Sequence, residues 1–214
     1  MKKIYYILLV IGVAIFFIGC NESKGINNGL EPINIDMKYG ADISDDVKQL
    51  LISYLRDKEN IKGDIGNSID VKEIKVDLFS KEKKIQLYEV VLDYAWLHGI
   101  VVLKDNEIMG LLSGMTNNGL FLGDLDNDNN YEMVYSTEIG SGIIRNIIKV
   151  MKIDNGQIYY IDIYEDNKRI AILPNKSDQR LYIHWNYFDL DRIAEEPIGY
   201  LKLKDNKLII EGAN

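Results

Sequence analysis

Hydrophobic positions fall into three regimes along the chain. Residues 1–20, MKKIYYILLVIGVAIFFIGC, begin with two lysines and continue as an uncharged apolar run from Ile4 to Ile18. Residues 44–60 place Val47, Leu50, Leu51, Tyr54 and Leu55 three and four apart, the period of one helical face. Ser44 is positioned as an N-cap, and Asp45 and Asp46 fall in the first turn, where the helix dipole favours anions. The pattern predicts a helix over 45–58 that packs its stripe on a sheet. From about Asp70 the period shortens to two. VKEIKVDLF alternates, and IQLYEVVLDYAW is rich in β-branched and aromatic residues. Asp-Asn recurs in LKDNEI, KIDNGQI, YEDNKRI and LKDNKLI, and both residue types tolerate positive φ. Four such turns between apolar strands predict antiparallel hairpins. The expected fold is mainly β, an antiparallel meander or sandwich-like arrangement with one N-terminal amphipathic helix, with α+β as the variant. The turn spacings are too uneven to predict a propeller.

The first regime is an export signal. A charged start, an apolar core and small Gly19 before Cys20 make the three parts of a cleavable leader. Fifteen helical residues reach roughly 22 Å, short of the ~30 Å bilayer core, so a spanning anchor is the poorer reading. F-I-G-C resembles a bacterial lipobox, with Phe17 where leucine is usual. The resemblance implies that residues 1–19 are removed and that Cys20 becomes the acylated first residue, carrying palmitate-type chains. NESKGINNGLEP, ending at Pro32, then reads as a lipid-anchored flexible tether over 20–32 with an r.m.s. reach of roughly 20 Å. A single domain over 33–214 follows. The expected location is the outer face of the cytoplasmic membrane, with the membrane contacted through the N-terminal lipid.

Composition narrows the task. The 214 residues carry 25 Lys+Arg against 33 Asp+Glu and a formal charge of -8, so no nucleic-acid partner is expected. Loss of the leader removes Lys2 and Lys3 and no acid, which deepens that charge by two. One cysteine excludes an intrachain disulfide and a Cys-rich zinc site. A bias toward Ile, Asn and Lys over Ala and Arg fits an AT-rich genome, as in low-GC Gram-positive bacteria.

One segment carries chemistry. In GLFLGDLDNDNNYEMVYS, Asp124, Asp126 and Asp128 alternate, Asn130 follows, and Glu132 closes the series. Oxygen donors at loop positions 1, 3, 5, 7 (through a backbone carbonyl) and 9 suit a hard cation that takes six or more oxygens, and Ca²⁺ fits better than Mg²⁺. The alternative is a solvated Asn/Asp-rich turn. The pattern resembles the D-x-D-x-D-G-x-x-[DE] loops of integrin-type FG-GAP repeats and EF-hand-like calcium sites, with Asn129 at the glycine position. A longer stretch, GDLDNDNNYEMVYSTEIGSGIIRNIIKVM, is similar to a recurrent segment of lipoproteins and extracytoplasmic domains in low-GC Gram-positive bacteria. Gly123, Asp124, Asp128, Glu132, Ser141, Gly142, Ile143 and Ile144 carry that similarity. It implies location and a shared domain, and no reaction.

Catalytic sets are incomplete. Gly140-Ser141-Gly142 lacks the G-x-S-x-G spacing, and Walker and G-x-G-x-x-G loops are absent. His98 and His184, beside Trp96 and Trp185, read as structural histidines. The sequence therefore predicts a surface-displayed, non-catalytic binding or structural lipoprotein with a structural calcium loop at 124–132. A cell-wall or glycan hydrolase using paired carboxylates, such as Asp189/Asp191 or Glu195/Glu196, is the alternative. Aromatic strands, IYYIDIY and RLYIHWNYFDL, leave a protein or glycan partner open.

Overall fold

A computed structural model describes residues 30–40, 42–76, 85–140, 143–187 and 192–212. The expected leader, Cys20, most of the tether, Ser141 and the Asp189/Asp191 pair lie outside the described residues. The chain enters through a short strand, β1 (Ile33–Asn34), followed by helices α1 (Asp45–Asp57) and α2 (Ile65–Ser68). Three antiparallel meanders come next. The first contains β2 (Asp70–Ile74), β3 (Ile85–Leu92), β4 (Leu97–Lys104) and β5 (Glu107–Gly114). The second contains β6 (Gly119–Gly123), β7 (Glu132–Ile139), β8 (Arg145–Lys152) and β9 (Ile158–Ile163), with β1 added beside β6. The third contains β10 (Lys168–Asn175), β11 (Arg180–Tyr187), β12 (Arg192–Ile193), β13 (Gly199–Lys204) and β14 (Lys207–Glu211), with β12 beside β11. The expected mainly-β antiparallel class is the observed one.

Helix α1 forms where its pattern predicts. The Ser44 hydroxyl accepts from the Val47 N–H at 3.4 Å, and Asp45 and Asp46 occupy the first turn. Its buried face is Leu51, Ile52 and Leu55, with Val47 and Tyr54 packed at the margin. Leu50, expected in the stripe, is exposed, and Ile52 takes its place. The α2 turn, not expected from the sequence, is drawn in by fully buried Ile65.

Stacking of the sheets produces three apolar layers. Leu51, Leu55 and Ile65 pack on Tyr88, Val90, Val101 and Leu103 of the first sheet. The opposite face of that sheet, with Leu87, Ile100, Val102 and Leu112, meets Leu120, Leu122, Met133 and Tyr135 of the second. The second sheet's other face, with Phe121, Val134, Ile148 and Val150, meets Ile170, Ile172, Leu181 and Ile183 of the third. The middle sheet is thus covered on both sides, and seven of the eight residues of β7 are buried. A strand sealed on both faces must satisfy its polar side chains within the protein, which governs Glu132 and Glu138 below.

Turn chemistry sets the hairpins. Asp105-Asn106 and Asp205-Asn206 each have both residues at positive φ, the two-residue loop whose twist matches the flanking strands. Gly156, at φ +72, turns the chain between β8 and β9. Asp166-Asn167 does something else: β9 and β10 belong to different sheets, so this turn is a crossing between layers and not the expected hairpin.

Close approach of the first two sheets requires glycine at the end of β5. A Cβ on Gly114 would overlap the buried Thr137 side chain. Gly114→Ala is expected to cost about 2–3 kcal/mol by overpacking. A chemical-denaturation cycle with Thr137→Ala should recover part of that cost through a positive coupling between the two sites. Strict additivity would show that the clash is relieved elsewhere.

Candidate metal centre

Strands β6 and β7 pair through Gly123 and Glu132, and residues 124–131 close the hairpin between them. The loop is shaped by its own carboxylates. Asp124, 7% exposed, accepts from the backbone N–H of Asp128 (3.0 Å) and of Asn129 (3.1 Å), one on each oxygen. Asp128 Oδ1 accepts from the Asn130 N–H at 2.8 Å. Asn127 and Asn129 take the left-handed conformation, at φ +60 and +63. Asn129, in the place where such loops carry glycine, supplies the backbone geometry a glycine would.

These turns bring Asp124, Asp126 and Asp128 together, each offering one oxygen within 4.8 Å of the others. Oxygens on one Ca²⁺, bound at 2.3–2.6 Å, are at most ~5 Å apart, so the three fit a common coordination sphere. This group could hold a metal ion. One oxygen adds a sharper mark. Asp126 Oδ1 is sealed from water and has no hydrogen-bond partner. A buried carboxylate oxygen in that condition is costly unless a cation or proton reaches it. The remaining expected donors behave differently. Asn130 contributes its N–H to Asp128, as above. Glu132 is not part of the three-aspartate group; it turns beneath the loop, where Oε2 accepts from the Leu125 N–H at 2.7 Å.

Burial and charge pull the acids apart. Burial raises the Asp124 carboxyl above its ordinary value, against the two N–H donors and with the charges of Asp128 and Asp126. Asp128 is also pushed up by burial, but the Asn130 donors and Lys152 outweigh that and hold it low. Glu132, 1% exposed, is pushed up to about 8, chiefly by burial, with the Leu125 N–H opposing and the Asp126 and Asp128 charges adding.

The side chain that sequence reasoning missed is Lys152. It stands on β8 directly opposite Glu132, on the face that looks toward the loop. Its Nζ donates to Asp126 Oδ2 at 2.5 Å and lies 3.4 Å from Asp128 Oδ2. The bond to Asp126 holds the ammonium above the usual lysine value, burial opposing. Beside the loop a cavity of about 90 Å³ is lined by Asp124, Asn127, Asp178, Gln179, Arg180 and Lys202, among others.

The other described candidates lie apart from the loop. His98 Nε2 contacts Glu89 Oε1 at 2.7 Å, and His184 Nδ1 contacts the Ala194 carbonyl at 2.9 Å, so the two histidines serve different sheets. Glu195 pairs with Arg192 at the surface. Buried Glu89 faces the gap between the first and second sheets, where Tyr39, His98 and Asn117 contact it. Buried Glu138 is held by Asn118 and by Arg169 of the third sheet, across the middle sheet from Glu89. Glu89, on the first sheet, and Glu138, on the second, thus face different gaps between layers. Among the described residues no helix is long and apolar enough to cross a membrane.

The chain matches no protein-family model, no curated protein and no solved structure. The chain is a mainly-β antiparallel protein whose central hairpin carries three aspartates that could hold a metal ion.

Proposed function

We propose that this chain is a surface-displayed, lipid-anchored protein with a non-catalytic binding or structural role, whose 124–132 loop is clamped by Ca²⁺. The observation that carries the metal reading is the convergence of three aspartate oxygens, one neighbour of which, Asp126 Oδ1, has no other partner. The ion would be held by Asp124, Asp126 and Asp128, with backbone carbonyl and water completing its shell and Glu132 placed to approach from below. Its chemistry is charge neutralisation: it would tie β6 to β7 at the closed, loop end of the central hairpin. Such a site suits an exterior location, where modules bind calcium at about 10⁻⁴–10⁻³ M. The anchor rests on the leader-like residues 1–19 and Cys20.

Thermal unfolding of the full chain in detergent, in millimolar calcium, in magnesium and in chelator, tests the site. At about 100 times Kd, calcium should add ~2.7 kcal/mol, or roughly 5–10 °C for a protein of this size. Asp124→Ala and Asp128→Ala should remove the calcium shift. A midpoint that calcium leaves unchanged, or a shift that survives both substitutions, sinks the calcium reading. The anchor has its own test: Cys20→Ala should abolish incorporation of radiolabelled fatty acid.

A further inference from the structure

We propose that Lys152 is a built-in counter-cation of the loop, competing with an incoming divalent ion for Asp126 and Asp128 and so setting the affinity of the site; the proposal rests on the calcium reading above. Its warrant is the position of the ammonium. Lys152 Nζ takes Asp126 Oδ2 at 2.5 Å and Asp128 Oδ2 at 3.4 Å, two of the three carboxylates an ion would need. The side chain is only 17% exposed, while Asp126 and Asp128 are 21% and 40% exposed. The lysine therefore lies inward of the rim and not at the end of a solvated tether. Register fixes it there, because Lys152 pairs across the ladder with Glu132, the first residue after the loop.

An ammonium and a divalent ion cannot share those oxygens at close range. The ammonium has only donors and carries a charge that repels the ion. When the ion enters, the four-carbon stem lets Lys152 withdraw past Asp128 toward solvent. When the ion leaves, Lys152 returns and keeps three mutually repelling carboxylates in their liganding arrangement. The loop is thereby ordered in both states, and part of the ion's binding free energy is spent on expelling the lysine. Where the competent state is a fraction f of the population, apparent Kd rises by 1/f, so a lysine engaged nine-tenths of the time weakens binding about tenfold.

The test is calorimetric titration of CaCl₂ into the full chain in detergent, comparing wild type with Lys152→Met, Lys152→Arg and Lys202→Met. Lys202 lines the cavity beside Asp124 but pairs with Glu211 at 2.9 Å, so its substitution removes the same charge without freeing the aspartates. Lys152→Met should bind calcium about tenfold tighter, while Lys152→Arg and Lys202→Met stay near wild type. Lys152→Gln carries the same expectation if the methionine variant does not fold. Equal or weaker binding by Lys152→Met, with wild type binding normally, overturns the competition and leaves the calcium site standing. Equal tightening by Lys202→Met reduces the effect to net charge and also overturns it. Absence of binding in wild type and all variants overturns both readings together.

Discussion

In chelator, raising the pH from about 5 to about 8 should lower the unfolding free energy of this protein by a few kcal/mol, and Glu132→Gln should flatten the slope. Glu132 is 1% exposed, and burial, aided by the Asp126 and Asp128 charges, pushes its carboxyl up to about 8 from an unfolded value of 4.5. Between those two values the folded chain holds a proton that the unfolded chain has released. Stability must then fall as pH rises, by up to about 1.4 kcal/mol per unit from this one group, and level off above its folded value. The stability that protonated Glu132 supplies is fully present below about 4.5. Asp124, also raised by burial, contributes in the same direction. Asp128 and Glu89, held low, act at the acid end, where stability is lost as pH falls through their folded values. Denaturant midpoints at half-unit pH intervals for wild type and Glu132→Gln decide the matter. If the alkaline decline in Glu132→Gln matched wild type, the buried acid would not be its source.

The same loop shows what a sequence discloses and where it stops. The alternation of Asp124, Asp126 and Asp128 is local, and so is the left-handed backbone at Asn129; both were legible because eight residues contain them. The helix start at Ser44 and the Asp-Asn hairpins at 105–106 and 205–206 were legible for the same reason. Asp166-Asn167 has the same chemistry and a different outcome, since a turn motif specifies a reversal and not which strand receives the chain afterward. Lys152 was out of reach because its meeting with Asp126, 26 residues away, depends on the β7–β8 register. The burial of β7 is a long-range property of the same kind. EMVYSTEI carries two acids, a serine and a threonine, yet sheets on both sides seal it, and its acids become buried hydrogen-bonded groups. The succession of three stacked meanders was hidden by uneven connections: two-residue turns at 105–106 and 205–206 beside the long loop of 124–131.

Glu89→Ala should be the most damaging polar substitution among the described residues, at roughly 3 kcal/mol or more, equivalent to a fall of about 6–12 °C in midpoint. The carboxyl is 6% exposed and accepts from three separate parts of the chain: Tyr39 Oη at 2.6 Å, His98 Nε2 at 2.7 Å and Asn117 Nδ2 at 3.4 Å. Burial alone would raise this acid, but the three donors overcome it and hold the group below its ordinary value. The carboxylate is therefore stabilised in place, and truncation removes the one acceptor that joins Tyr39, His98 and Asn117. Position adds to the cost. Tyr39 belongs to the segment between β1 and α1, and Tyr131, at the end of the 124–131 loop, holds the chain just before β1 through the Glu31 carbonyl at 3.1 Å. Glu89 thus ties the entry segment of the described chain to the first sheet. Glu89→Gln keeps the shape and some donors' partners, so its loss should be smaller, with a shallower decline below about pH 4.5 because the depressed acid is gone. Tyr39→Phe should cost about 1 kcal/mol, one neutral donor's share. A Glu89→Ala midpoint close to that of Tyr39→Phe would show that the donors find water, and that the carboxylate joins these segments without supporting them.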